Sequence, residues 1–444
     1  MNRILITNAE IVNEQKVFSG DVLICRGRIH AIGGDLGSQP HDLVIDAAGK
    51  LLMPGLIDDQ VHFREPGYTH KGDIGSESRA AVAGGITSFM EMPNTQPTTT
   101  DRGALDAKRV IASRTAYANY AFYLGATNTN IDAVKSLDPQ ITCGVKVFMG
   151  ASTGDMLVDD PRTLEKIFAE APILVATHCE DTPTIIANEA RFRAQFGDDV
   201  PMRHHPDIRS REACLASSSL AVDLAKRHGT RLHVLHLTTA DEMVLFNSGP
   251  PDGKKITAEV CAHHLFFNAA DYKTHGARIK CNPAIKTEAD RRALLKAIQD
   301  DHIDVIATDH APHTWKEKQR LYFEAPSGLP LVQDALPSLL EHVHRGDLSL
   351  PQIVAKTSHA PARLFNIRDR GYIREGYWAD LVLVDLDRPH VVDKKNVIGR
   401  CGWSPFEGYS FRSTVEMTMV NGRIVYQNGQ VVDPPQGLPL EFER

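Results

Sequence analysis

The sequence predicts an α/β fold: a (β/α)8 TIM-type barrel carrying a small β-sandwich domain formed from both chain termini. Three observations lead there. Short apolar runs in the middle of the chain alternate with helical stretches of about 15 to 20 residues, the rhythm of βα units and a parallel sheet. Strand-like segments punctuated by Gly and Asn lie at both ends. In most of the central runs the apolar residues come first and a His, Lys, Asp or Asn comes last, and barrels of this kind place their chemistry at the carboxyl ends of the strands. The predicted boundaries are residues 1–50 and 366–444 for the two parts of the small domain and 51–365 for the barrel.

Taken in order, "RILITNAEIV", "GDVLICRGRIHAIGG" and "HDLVIDAAGKLLMPG" read as strands of the first part. The eight barrel runs are "GLIDDQVHF", "GITSFMEMPN", "YANYAFYLGA", "CGVKVFMGAS", "ILVATHCED", "LHVLHLTTA", "ITAEVCAHH" and "DVIATDHAP". The segment "HTWKEKQRLYFEAPSGLP" after the last run is long and mixed in charge, and reads as a lid or pocket wall. The closing strands are "ADLVLVDLD" and "STVEMTMVNGRIVYQNG", in which Asn421-Gly422 is a strong hairpin signal.

Bulk properties exclude several classes. The chain has 444 residues, 42% apolar and 24% charged, with a formal net charge of −7. That balance argues against nucleic acid as a partner, which would need a basic face, but leaves room for an anionic small substrate held by a few local arginines. No apolar run approaches the roughly 20 residues that cross a bilayer, and the amino terminus meets polar residues too early for a signal peptide. Seven cysteines without paired spacing fit reduced thiols. A cytoplasmic protein with no membrane partner is expected, and a homo-oligomer, in the simplest case a dimer.

The chemistry gathers at the strand ends. In "LIDDQVHFREPG", a regular strand would point Asp58, Gln60, His62 and Arg64 the same way. With Lys146, His178, His236 and Asp309 they supply imidazoles and a carboxylate, the ligand types of zinc or a similar ion. Each has a duller alternative: a satisfied core histidine, a salt-bridge lysine, an arginine paired with Asp58 or Glu65. The shared placement at strand ends favours a site over these. Asp309, ending a Val/Ile/Ala strand, has the fewest structural excuses. A buried Lys146 would be pushed toward the neutral amine, which can add carbon dioxide to become a carbamate. His233 lies an odd number of residues from His236, so on a regular strand it points away and reads as structural. His263 and His264 read as a pair with a smaller claim to a direct role. Cys143, Cys179, Cys261 and Cys281 read as packing.

The run from Asp58 to Gly67, "VKVFMGASTG", "ATHCED", "LHVLHLTTADE", "TAEVCAHHL" and "ATDHAPHT" resemble the amidohydrolase superfamily. So do "MPNTQPTT", "KCNPAI", "IREGYWADLVLVD" and "WSPFEG". More narrowly the chain looks like the dihydroorotases, in the branch that also holds hydantoinases and allantoinases. The resemblance spans nearly the whole chain. It implies a metal-dependent cyclic amide hydrolase that interconverts N-carbamoyl-L-aspartate and L-dihydroorotate in pyrimidine synthesis. It implies one or two zinc ions, possible bridging by a carboxylated Lys146, with His178 and His236 on one ion and His62 and Asp309 on the other. It assigns Asp309 the proton transfer, and Arg64, Asn94, Asn282 and His313 the substrate. The departure is Gln60, where the family has a second histidine; an amide oxygen is the weaker zinc ligand. That leaves three outcomes open: a looser second ion, a single ion, or a non-catalytic scaffold subunit. Another cyclic amidohydrolase, an allantoinase or hydantoinase, is the other alternative.

Overall fold

The eight predicted runs all become barrel strands. In this computed structural model, residues 3–150 and 156–444 are described; Ala151–Gly154 of the Lys146 motif lie outside them. The strands are β1 (Leu56–Val61), β2 (Ile86–Glu91), β3 (Asn119–Gly125), β4 (Thr142–Phe148), β5 (Val175–His178), β6 (Leu232–Val234), β7 (Ile256–Cys261) and β8 (Val305–Ala307). They lie side by side in chain order, every neighbouring pair parallel. The ring closes where Val61 bridges His310 and the His62 N–H donates to the His310 carbonyl at 2.7 Å. All residues of β1 to β5 are buried, as expected when helices cover the outside and side chains fill the inside.

Local sequence starts the outer helices cleanly. Asp73, Asp101, Asp160, Asp181, Ser210 and Thr287 each accept a hydrogen bond from the backbone N–H three residues on, so each helix opens with an orphan donor satisfied. Among the described residues no helix is long and apolar enough to cross a membrane.

The small domain is one nine-stranded sheet with contributions from both ends of the chain. Arg3–Asn13, Lys16–Cys25, Arg28–Gly33, Leu43–Asp46 and Leu51–Pro54 come from the first end. Leu381–Asp385, Thr414–Val420, Arg423–Gln427 and Gln430–Val431 come from the second. The seam is the antiparallel pair Leu51–Pro54 with Leu381–Asp385, so this sheet reaches Pro54 before the barrel begins at Leu56. Strand alternation then serves two cores. Leu381 and Leu383 join an apolar core internal to the sheet, and Val382 and Val384 pack on the barrel's outer core. The Asn421-Gly422 turn has both residues at positive φ, 52° and 72°, and joins Thr414–Val420 to Arg423–Gln427.

The barrel floor is closed from outside the repeat. Leu364, Phe365, Leu440 and Phe442 pack with Met90, Ala121, Leu174, Ala176 and Val305, and the Leu440 N–H donates to the Tyr120 carbonyl at 2.9 Å. The chain's last residues thus plug the end opposite the site.

Candidate active site

At the upper rim the backbone leaves regular strand geometry. Arg64, His236 and Asp309 sit at φ of 70°, 39° and 51°, a region costing L-residues roughly 1–2 kcal/mol each and held only where surroundings fix it. β6 has ended at Val234, so His236 no longer follows the alternation that set His233 apart from it. Both face inward at different depths. His233 lies lower, with Nε2 3.2 Å from Asp59 and 3.5 Å from Glu259, so it does not point away from the barrel interior as strict alternation predicts.

The shared face expected for Asp58, Gln60, His62 and Arg64 is broken at its first member. The β1–β2 register shifts between Asp58 and Val61, and Asp58 turns to accept from Thr308 Oγ1 at 2.6 Å and from the Thr308 N–H at 3.2 Å. Burial pushes its carboxyl up to about 7. Asp59, not Asp58, enters the barrel interior. A one-residue irregularity exchanges faces, because strand side chains alternate.

Gln60, His62, Arg64, Asn94, Lys146, His178, His236, Asn282 and Asp309 line one cavity of about 380 Å³. Residues from Tyr322 to Gly328 form one wall, the stretch read as a lid or wall. His313 does not line it. His313 sits behind Arg64: its Nδ1 accepts from Lys71 Nζ at 3.1 Å, its Nε2 donates to the Ser327 carbonyl at 3.1 Å, and Arg64 Nη2 lies 3.0 Å from that same Nε2. Burial, with Arg64 and Lys71 alongside, keeps its imidazole neutral, well below the usual range.

Hydrogen-bond accounting shows what the upper cluster lacks. His62 Nδ1 donates to Asn94 Oδ1 at 2.7 Å. Its Nε2 then presents a lone pair to Asp309 Oδ1, 3.2 Å away. His178 Nε2 donates to Glu180 Oε2 at 3.1 Å, so its Nδ1 lone pair faces His236 Nε2 at 3.0 Å. His236 Nδ1 is buried and unpartnered. Burial holds all three imidazoles below their ordinary pKa, hence neutral and able to ligate. Lys146 is buried as well and pushed down to about 8. His62 Nε2 and Asp309 Oδ1 are thus acceptor facing acceptor across 3.2 Å, an arrangement a cation resolves, whereas His236 Nε2–H can donate to His178 Nδ1. Behind His178, burial would raise the Glu180 carboxyl, but Arg209, 2.7 Å from it, and His178 hold it down to about 2. A carboxylate on the far nitrogen is how metal-ligating histidines are oriented.

Gln60 turns its amide Nε2 to Asp309 Oδ1 at 3.1 Å and its oxygen toward Cys261 Sγ, 4.0 Å away. Its only ligating atom therefore faces away from His62 and Asp309. Arg64 donates Nε–H to the Pro312 carbonyl at 3.1 Å, and among the described residues no carboxylate pairs with it within 4 Å. Burial lowers its pKa to about 10. A buried guanidinium without an anion is costly unless a ligand brings one. A turn fixes its loop: Gly67 has φ of 96°, and a Cβ there would lie 2.2 Å from the Gln96 carbonyl oxygen. This binds the Arg64 loop to the loop carrying Asn94.

Sequence reasoning missed Arg209, Lys280, His205 and Tyr322, which also line the cavity. With its amide turned so that nitrogen donates to Ser327 Oγ and the Cys281 carbonyl, Asn282 accepts from Arg209 Nη2 at 3.2 Å. Glu180 carried a usable signal, two residues beyond His178; Arg209 carried none, arriving from the segment between two helices.

A profile of the amidohydrolase family matches residues 51–425. The chain is 34% identical to the dihydroorotase of Halobacterium salinarum, covering 93% of this chain and 94% of that one. It is 33% identical to the dihydroorotase of Methanosarcina acetivorans, over 99% and 96%. Among solved structures, the L-hydantoinase of Arthrobacter aurescens superposes with a TM-score of 0.94 at 27% identity, over 99% of this chain and 100% of that one. The dihydropyrimidinase of Brevibacillus agri does so with 0.88 at 25%, over the whole of both.

Proposed function

The chain belongs to the amidohydrolase family, and on that premise we propose that it is a dihydroorotase, a metal-dependent hydrolase that interconverts L-dihydroorotate and N-carbamoyl-L-aspartate in pyrimidine synthesis. The observation that carries the substrate choice is the buried, anion-less Arg64 in a cavity that Arg209 and Lys280 also line. A ring bearing a carboxylate satisfies it; a hydantoin with an alkyl or aryl substituent does not. The dihydroorotase relatives agree with this reading.

His178 and His236 would hold one ion with Lys146, and His62 and Asp309 a second, weaker one, because Gln60 turns its oxygen elsewhere. The donor set of neutral imidazoles and a carboxylate suits zinc. Carboxylation of Lys146 would supply a further carboxylate from an amine that burial already biases toward neutrality. When bound, the metal supplies a Lewis acid for the ring carbonyl and lowers the pKa of water toward neutrality.

The remaining work falls to the chain's own side chains. Arg64 offers a planar fork that matches the substrate carboxylate. Asn94 and Asn282, which line the same cavity, would hold the ring amide and orient the scissile bond, while the Pro312 carbonyl holds the guanidinium with His313 packed behind it. Asp309 takes the proton from the attacking water and returns it at the ring nitrogen as the C–N bond breaks, base and then acid. In reverse the ureido nitrogen attacks the carboxyl carbon and water leaves. The wall from Tyr322 to Gly328 would border the bound ring.

Location in the cytoplasm, supported by seven unpaired cysteines, and assembly as a homo-oligomer complete the proposal. The test is turnover of dihydroorotate by zinc- and bicarbonate-supplied protein, followed by its ultraviolet absorbance, beside an aryl hydantoin and allantoin. Preference for a hydantoin would favour the alternative that the hydantoinase neighbours represent. Tight metal with no turnover of any of them would favour a scaffold subunit.

A further inference from the structure

A second cluster of soft ligands lies just outside the cavity lining, at the end of β7. Cys261 closes that strand, and His263 and His264 begin the helix Ala262–Phe266. One ligating atom from each of the three lies within 4.8 Å of the others, and all three residues are buried. The two rings are 4.0 Å apart, centre to centre. His264 Nε2 donates to the Pro283 carbonyl at 3.1 Å, which fixes its tautomer and leaves a lone pair on Nδ1. That Nδ1 and both ring nitrogens of His263 make no hydrogen bond of acceptable geometry. His263 has only a poorly aligned contact to the Thr308 backbone and His264 Nδ1 has no partner, and packing does not account for this, because buried polar atoms are nearly always well partnered.

The surroundings favour a cation. The Cys261 thiol lies 3.7 Å from Glu259 Oε1 and 4.0 Å from Gln60 Oε1. Glu259, Asp309, Asp58 and Asp59 all act electrostatically on it, and burial with those four carboxylates holds the thiol well above its usual pKa. On the far side Cys281 Sγ is 3.7 Å from His264 Nε2 and directs its own S–H to the Pro283 carbonyl at 3.3 Å, so it serves the frame of the cluster. One thiol and two neutral imidazoles form the nitrogen–sulfur set preferred by zinc-class ions.

We propose that Cys261, His263 and His264 form a separate binding site for a zinc-class divalent cation, beside Gln60 and outside the substrate cavity. Binding there removes the proton from the Cys261 thiol, which leaves to solvent, and forms metal–sulfur and metal–nitrogen bonds; no oxidation or reduction is involved. The site also accounts for the direction of Gln60, whose amide oxygen points toward this cluster while its nitrogen is bound to Asp309.

The full chain, expressed in cobalt-supplemented medium so that buried sites fill during folding, tests this. The candidate catalytic ligands are nitrogen and oxygen only, so a thiolate-to-cobalt charge-transfer band in the near ultraviolet reports this cluster whether or not the chain turns over dihydroorotate. The expected result is that band in the parent protein, its loss in Cys261→Ser, and a fall of about one metal equivalent per chain in that variant. Absence of the band in the parent, or its survival in Cys261→Ser, would overturn the proposal. Should Cys261→Ser fail to fold by circular dichroism, His264→Gln decides: a weakened or shifted band supports the site, and an unchanged band overturns it.

Discussion

With Asp309 proposed for the chemistry and Arg64 for substrate binding, variants of the two should separate in kinetics. Asp309 touches both His62 and Gln60 and is the carboxylate proposed to carry the proton. Asp309→Asn preserves size but cannot shuttle, so kcat should fall by about 10²- to 10⁴-fold with KM little altered; steady-state rates on dihydroorotate measure this. Arg64→Lys keeps the charge and loses the fork, the bond to the Pro312 carbonyl and the contact with His313. KM should then rise by roughly 10- to 100-fold, the worth of about 1.5–3 kcal/mol for a charge-assisted contact, with a smaller change in kcat. Equal losses in the two parameters would mean that Arg64 acts in the chemical step instead. The same residues show where local reading works. Histidines and an aspartate at strand ends are legible because few other roles suit them, whereas Asp58 was misplaced because a register shift is invisible in a list of alternating residues.

At the scale of the element, β6 and β7 carry a buried ionic layer under the candidate metal ligands. His233 spans Asp59 on β1 and Glu259 on β7 and is fully buried. Burial disfavours its charge, but the two carboxylates outweigh that and raise its pKa from 6.5 to about 9. Glu259 is raised to about 8, by burial and by Asp59. It also accepts the His236 N–H at 3.0 Å, so the layer holds up a candidate ligand. Folding raises the proton affinity of His233, so its stabilising contribution is complete below about pH 6.5 and is lost as pH rises through about 9. The urea midpoint should therefore decline between pH 7 and 9.5, and His233→Gln should flatten that slope; an equally steep slope in the variant would remove His233 from the account.

The whole molecule is a barrel fastened at both ends by segments outside its repeat. The small sheet clamps the outer core through Val382 and Val384, and Phe442, 1% exposed, plugs the floor. Phe442→Ala should cost about 3–5 kcal/mol, read as a lower denaturant midpoint, while kcat at low temperature stays near the parent value because the floor lies opposite the cavity. A large fall in kcat under those conditions would mean that the plug also shapes the rim. The sequence by itself determined the eight-strand rhythm, the two-ended small domain and the strand-end residues His62, Lys146, His178, His236 and Asp309 that line the cavity, because hydrophobic period and strand-end polarity are local properties of a chain. Tertiary structure alone decided that Asp59 rather than Asp58 enters the barrel, that Arg209 joins the cavity, that His313 stands behind Arg64 and that the carboxyl end closes the floor. Those outcomes depend on register and on contacts between residues far apart in the chain, where the energy of a position is set by neighbours that no local pattern names.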